Sequence, residues 1–193
     1  GMIKNAIKND SPVISFEHRW LYWQEEELRK DLDKTNYNFP SKLHSGKDVT
    51  IVATSWMNVE ASMACKILKI NHGVTVDLFD LRSSESLNNL NKVFESVRRT
   101  GRCIIADNDW LTSGLSGEIA FRIQENCITS LKSPINRVGF KNMPCPTARN
   151  LENHFYPNAF DIVKIVEDML KLKNSSLKEF TLYSHEIKFK GPF

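Results

Sequence analysis

Three apolar runs separated by two amphipathic stretches constrain this chain more than anything else in it. Residues 49–53, 74–79 and 103–106 are near-continuous runs of β-branched and aliphatic side chains. A strand buried on both faces reads this way, whereas a strand with one wet face alternates. Between the first two runs, Val59, Met63, Ile67 and Ile70 share one face of a helix over 56–70. Between the second and third, Leu87, Leu90, Phe94 and Val97 do the same over 86–99. Parallel strands require crossovers of this kind. The stretch 48–117 therefore predicts an α/β domain, a three-layer α/β/α arrangement around an open, mostly parallel sheet. A helix carrying Leu115, Ile119, Ile123 and Cys127, a fourth strand over 135–140 and a last helix over 158–172 extend the pattern. Asn158 with Asp161 makes an N-terminal cap for that last helix.

The flanks are less regular. Residues 12–16 (Pro-Val-Ile-Ser-Phe) read as a short strand, followed by the aromatic string Trp20-Leu21-Tyr22-Trp23. A lone strand needs neighbours to be stable, and none lies close in sequence. It therefore either pairs inside the main sheet or belongs to a sheet whose other strands are not on this chain. Residues 24–45 read as a charged and then Asn/Pro/Ser-rich connecting segment, with a short exposed helix over 25–31. The tail alternates Phe180, Leu182, Ile187 and Phe189, as a hairpin or an arm would. The domain division that follows is 1–23, a linker 24–47, the α/β unit 48–172 and a tail 173–193.

Several function classes are set aside by composition. The formal charge is only +3, without the basic cluster that nucleic acid or an anionic membrane selects. No run approaches a membrane span, and Lys4, Asn5, Lys8, Asn9 and Asp10 interrupt any signal-peptide core, so a cytoplasmic protein is expected. The cysteines Cys65, Cys103, Cys127 and Cys145 are widely spaced with no C-x-x-C pair, which reads as reduced thiols. His44, His72, His154 and His185 show no zinc-ligand spacing.

Three clusters carry candidate chemistry. Gly114 and Gly117 sit where a strand hands over to a helix, a place where free N–H groups hold anions. Their spacing matches neither dinucleotide nor P-loop patterns, so a turn that lets helix and sheet pack closely is the reading. Asp107, Asn108 and Asp109 stand at the carboxyl end of a strand, the ligand edge of open α/β sheets, but without a companion ligand nearby they read as a solvated turn. Glu17, His18 and Arg19 combine a group that titrates near neutrality with a carboxylate and a cation. On an extended segment Glu17 and His18 point apart, so they read as interface polar groups rather than a catalytic dyad.

Several strings also resemble one family in order and spacing: Pro12-Val13-Ile14-Ser15-Phe16-Glu17-His18-Arg19-Trp20-Leu21-Tyr22, Gly46-Lys47-Asp48-Val49-Thr50-Ile51-Val52, Asp80-Leu81-Arg82, Ser96-Val97-Arg98-Arg99-Thr100-Gly101-Arg102, Gly117-Glu118-Ile119-Ala120 and Met143-Pro144-Cys145-Pro146, then Leu151-Glu152. They are similar to the beta subunit of the thiamine-diphosphate-dependent decarboxylating component of 2-oxoacid dehydrogenase complexes, and more broadly to transketolase-like proteins. The resemblance covers roughly residues 12–171. It implies that residues 13–23 correspond to the last strand of a pyrimidine-binding domain and 48–171 to the carboxy-terminal domain. If this segment is part of a larger enzyme, as the resemblance implies, the rings of 20–23 form an exposed apolar patch on a dimer. Thiamine diphosphate and magnesium would belong to the assembled enzyme, with none bound by this chain alone. Partners implied are a second copy, alpha-type and pyrimidine-binding domains, and a lipoyl acyltransferase. Glu17, His18, Arg19, Trp20, Tyr22 and Arg82 are then near-site or interface residues, with no catalytic residue, cofactor ligand or metal ligand among them. Asp107-Asn108 stands where many relatives carry His-Glu, Arg82-Ser83-Ser84-Glu85-Ser86 lacks the family's proline, and Gly114-Leu115-Ser116-Gly117 loosens a glycine pair. Pyruvate, a branched-chain oxoacid and a sugar all remain open as substrate. A free-standing interaction module and the carboxy-terminal part of a split transketolase are the alternative functions.

Overall fold

The computed structural model describes residues 2–25 and 37–175. The tail residues 180–189 lie outside that range, as does all of the helix read over 25–31 except Glu25.

Among the described residues, five strands form one sheet in the order β1-β3-β2-β4-β5, with β1 Ser41–His44, β2 Val49–Ala53, β3 Val76–Asp80, β4 Cys103–Trp110 and β5 Asn136–Phe140. Strands β2 to β5 pair in parallel and only β1 runs antiparallel, against β3. All five residues of β2 are buried, as its unbroken apolar run requires of a central strand. The α-helices among the described residues are α1 Met2–Ile7, α2 Met57–His72, α3 Asn91–Thr100, α4 Leu115–Cys127, α5 Arg149–Phe155 and α6 Ala159–Leu170. A 3-10 turn, Ser84–Asn89, precedes α3 and occupies the first half of the helix read over 86–99.

The period-2 alternation of the strands divides the core in two. Ile51, Leu78, Ile104 and Val138 point to one face and meet Ala61, Ala64 and Leu68 of α2 with Ile162, Val163 and Val166 of α6. Val52, Phe79 and Ile105 point to the other and meet Val93 and Val97 of α3 with Ile119 and Ile123 of α4. Helices on both faces make the three-layer architecture that the sequence predicts. Helix α2 stops at Gly73, whose φ of 66° is left-handed and whose N–H reaches the Lys69 carbonyl 3.0 Å away. Asn158 accepts from the Phe160 N–H while Asp161 accepts from the Asn158 N–H, so the cap read ahead of α6 is a complete capping box.

Two expectations are corrected. Residues 12–18 form no strand and pair with none of the strands of the sheet. Conversely, the segment read as a loop up to Ser45 contributes edge strand β1, tied down from below by a buried carboxylate. Asp77 is fully buried on β3, and it accepts from Lys42 Nζ at 2.8 Å, Gly46 N at 2.8 Å, Ser96 Oγ at 2.6 Å and the Arg99 guanidinium. Burial alone raises the Asp77 pKa, but the bonds from Lys42, Ser96 and Gly46 outweigh it and leave the carboxyl below its ordinary value.

Candidate functional site

The carboxyl edge of the sheet is where open α/β folds take ligands, at the point where successive crossovers leave for opposite faces. Here that point lies between β2, which leads into α2 on one face, and β4, which leads into α4 on the other. The amino ends of α2, α4 and α6 converge on this edge, and each is already occupied by a side chain of the chain itself. Asn108 Oδ1 accepts from the Met57 N–H at 3.1 Å, at the start of α2. Asp107 lies against the first turn of α4, where the Ser116 N–H favours its carboxylate form. Glu60, buried, accepts from the Ala159 N–H of α6 at 2.9 Å and from the Trp56 indole at 3.0 Å. Anions belong at helix amino ends, and these three groups satisfy those positions internally.

The solvated-turn reading of Asp107 is therefore corrected. Strand β4 continues through it, Asp107 is buried, and Thr54 donates its hydroxyl to one carboxylate oxygen while the other has no partner. Burial first, with Asp109 adding to it, pushes the Asp107 carboxyl up. The glycine turn is no open cradle either. A Cβ on Gly114 would meet the Trp110 carbonyl oxygen at 2.0 Å, so this glycine is needed for packing against the chain's own backbone. Among the described residues no group of three or more His, Cys, Asp or Glu could hold a metal ion. Filled helix ends and a closed glycine turn do not fit the diphosphate–magnesium group that the resemblance implies.

Above this edge lies an open groove of about 1270 Å³. Glu17, His18, Tyr22 and Arg82 all line it, so four of the six sequence candidates come together; Arg19 and Trp20 do not line it. Arg82 pairs with Asp80 at 2.5 Å, and Asn58 donates to the same carboxylate at 2.7 Å. Glu17 accepts from the Tyr22 hydroxyl, and that bond raises the phenol pKa. His18 turns the other way, stacking on Trp56 with ring centroids 5.8 Å apart. Trp20 meets the same Trp56 edge-on at 5.3 Å and Tyr156 at 5.9 Å. Trp56, buried at the mouth of α2, is thus the anchor for the whole N-terminal turn, Arg19–Trp23. Sequence reasoning missed Trp56 and Glu60, because their partners are scattered along the chain.

The anchoring sorts the aromatic string into two classes. Trp20 and Leu21 are half-buried against the domain, while Tyr22 is 67% exposed and Trp23 48%. Just upstream, Ile14 is 79% and Phe16 93% exposed. A large apolar surface of this sort is rare on a monomer.

Other reactive-looking groups resolve into structure. Ser175 Oγ and Glu167 Oε1 both meet His72 Nε2, at 2.9 and 2.8 Å. A catalytic triad needs the acid on the second ring nitrogen, so this cluster fastens the chain after α6 to the end of α2. Cys65, Cys103 and Cys127 are buried free thiols, and burial pushes Cys65 up to about 12, which suppresses the nucleophilic thiolate. His185 lies outside the described residues.

The match to known proteins accords with this geometry. The family model for the transketolase C-terminal domain matches residues 41–162. A pyruvate dehydrogenase E1 component subunit beta from Rickettsia bellii is 28% identical over 173 residues, covering 90% of this chain and 53% of that protein. The mitochondrial counterpart from Saccharomyces cerevisiae is 29% identical over 178 residues, covering 90% and 48%. A counterpart from Rhizobium meliloti is 33% identical over 168 residues, covering 86% and 36%. Among solved structures, a chain described as a split gene transketolase, inactive beta4 tetramer, superposes with a TM-score of 0.67 at 25% identity, covering 90% of this chain and 55% of that one. The chain thus spans about half the length, or less, of the relatives it matches. No helix among the described residues is long and apolar enough to cross a membrane.

Proposed function

The chain belongs to the transketolase C-terminal domain family, and from that premise we propose that it is an assembly part. It supplies the carboxy-terminal domain of a thiamine-diphosphate-dependent 2-oxoacid dehydrogenase beta subunit, of pyruvate or branched-chain type, and performs no chemistry alone. Residues 13–23 are the surface on which a pyrimidine-binding domain sits, and 24–40 link that surface to the α/β unit, which begins with edge strand β1. The observation that carries the reading is the split character of the aromatic string. His18 and Trp20 are pinned on Trp56, and this presents Phe16, Tyr22 and Trp23 outward. Burying such rings against a partner contributes about 1.5–3 kcal/mol each, which offsets part of the entropy cost of association.

Thiamine diphosphate and magnesium then lie in the assembled enzyme, on domains other than this one, and the helix amino ends filled by Asp107, Asn108 and Glu60 favour that placement. Partners of the assembly are a second copy, alpha-type and pyrimidine-binding domains, and a lipoyl acyltransferase that accepts the acyl product; a cytoplasmic location fits them. The structural neighbour favours a second reading, the carboxy-terminal part of a split transketolase, in which the same surface serves ketol transfer.

The purified chain, supplied with 2-oxoacids, thiamine diphosphate and magnesium, is expected to show no decarboxylation. Measurable turnover by the chain alone would overturn the proposal. Turnover of ketose phosphates, restored only on adding pyrimidine-binding and diphosphate-binding domains, would select the transketolase reading.

A further inference from the structure

We propose that His18 is a pH-sensitive latch: its neutral ring holds the aromatic turn Arg19–Trp23 on Trp56, and protonation releases the turn. The inference concerns contacts within this chain and stands whatever the turn binds.

The geometry requires a neutral ring. His18 caps the turn, and its Nδ1 accepts from the Trp20 N–H at 3.4 Å, which places the ring proton on Nε2. An imidazolium carries a proton on both nitrogens, so Nδ1–H would then face the Trp20 N–H, donor against donor. The His18 carbonyl, which accepts from Leu21 N at 3.0 Å, would be left as the turn's remaining local tie at its start. The ring is also clasped between Trp56, stacked at 5.8 Å and 19°, and Trp20, edge-on at 5.4 Å. Proton uptake there places a charge between two indoles. Loosening His18 frees Trp20 as well, because both rings rest on Trp56.

The surrounding charges do not rescue the cation. Within its own segment Glu17 is committed to the Tyr22 hydroxyl, Arg19 is itself positive, and Glu25, which lines the same groove, is exposed to solvent that screens its charge. Beneath Trp56, Glu60 is engaged by the indole and by the Ala159 N–H. Across the groove, β3 offers Asp80 only as a pair with Arg82, β1 brings Lys42 and His44, and α2 brings Lys66. From the α5 side the group facing Trp20 is the Tyr156 phenol. No carboxylate among the described residues bonds to the His18 ring. One force opposes release, the attraction of an imidazolium to the Trp56 face. Against it stand the donor–donor clash at Nδ1 and the burial of the ring, which lowers the His18 pKa from its ordinary value.

The sign follows from linkage. A histidine whose docked pKa is depressed destabilises the docked state as pH falls through the free value and on through the docked one. Each tenfold loss of proton affinity on docking makes the released turn about tenfold more populated in acid. The latch is therefore closed at neutral pH and opens in the mildly acidic range.

The test is an NMR titration of His18 in the whole chain, combined with amide hydrogen exchange at residues 20–23, corrected for the intrinsic pH dependence of exchange. The expected result is a His18 pKa below that of an unstructured histidine, with protection at 20–23 falling as that group titrates. His18→Gln keeps an acceptor for the Trp20 N–H and cannot titrate, so its protection at 20–23 should be independent of pH over the same range. A His18 pKa at or above the ordinary value, or protection that tracks pH equally in His18→Gln, would overturn the proposal. The titration alone decides the first point, so the test survives if the variant folds poorly.

Discussion

Replacing Lys42 and Arg99 by methionine, singly and together, tests how edge strand β1 is held to the sheet. Asp77 is fully buried, and two cations reach it from different elements, Lys42 on β1 and Arg99 at the end of α3. At 2.8 Å, the Lys42–Asp77 attraction is on the order of 6 kcal/mol for an effective dielectric of about 20, before desolvation is charged against it. Both cations are partly exposed, 39% and 48% at the side chain, so solvent screens much of that value. With one cation removed, the other still neutralises the carboxylate, and each single variant should lose about 0.5–1 kcal/mol. With both removed, Ser96 and the Gly46 N–H are left facing an uncompensated buried charge, and the loss should reach about 3–5 kcal/mol. The double variant is therefore worse than the sum of the singles. Urea unfolding of all four proteins at pH 7, with unchanged m, measures that coupling. Because the Asp77 pKa is depressed in the fold, this stabilisation is present above the ordinary Asp value. It fades as pH falls through the folded one, so the coupling should vanish in acid. Additive singles, or a double variant within about 1 kcal/mol of the parent at pH 7, would refute the lock.

Three further outcomes follow from individual contacts. Gly73→Ala should destabilise by about 1 kcal/mol in thermal unfolding, from its left-handed φ alone, because a Cβ there meets nothing within 4 Å. Asp107→Asn should gain on the parent at neutral pH and lose that advantage as pH falls through the raised folded-state value to the ordinary Asp value, below which the difference is constant. The reason is that a buried carboxyl with a raised pKa supports the parent only while protonated; denaturant midpoints across pH read this out. Asn158→Ala should cost about 1 kcal/mol by removing the α6 capping box, and Asn158→Asp should restore most of it.

The layered core was legible because buried parallel strands and their crossover helices each leave a periodic signature. β2, β3 and β4 came from unbroken apolar runs, and α2, α4 and α6 from one-sided stripes. Strand β1 was not legible, since Ser41-Lys42-Leu43-His44 is short, half-exposed and polar, and its strand character comes from Asp77 and from pairing with β3. Residues 12–16 erred in the opposite sense: local β propensity is high, but a strand exists only where it pairs, and these residues pair with no strand among the described residues. Asp107 looked like a turn because the ladder shifts register between Ala106 and Trp110, where the apolar run breaks although the strand continues. The self-capping of the helix ends was invisible because its partners are distant in sequence, as Glu60 and Ala159 are, 99 residues apart. The candidates Glu17, His18, Tyr22 and Arg82 were found because they combine ionisable or aromatic groups at segment ends. Their convergence on one groove depends on the Trp56 anchor.

Sedimentation of the parent chain beside a Phe16→Ser, Tyr22→Ser, Trp23→Ser variant bears most directly on the assembly surface. The parent should sediment above the 22.2 kDa of one chain at micromolar concentration, and the triple variant should fall to that mass with its melting temperature unchanged. A parent that stays at single-chain mass with those rings shielded from a soluble quencher would contradict the account, as would a variant that associates as strongly as the parent.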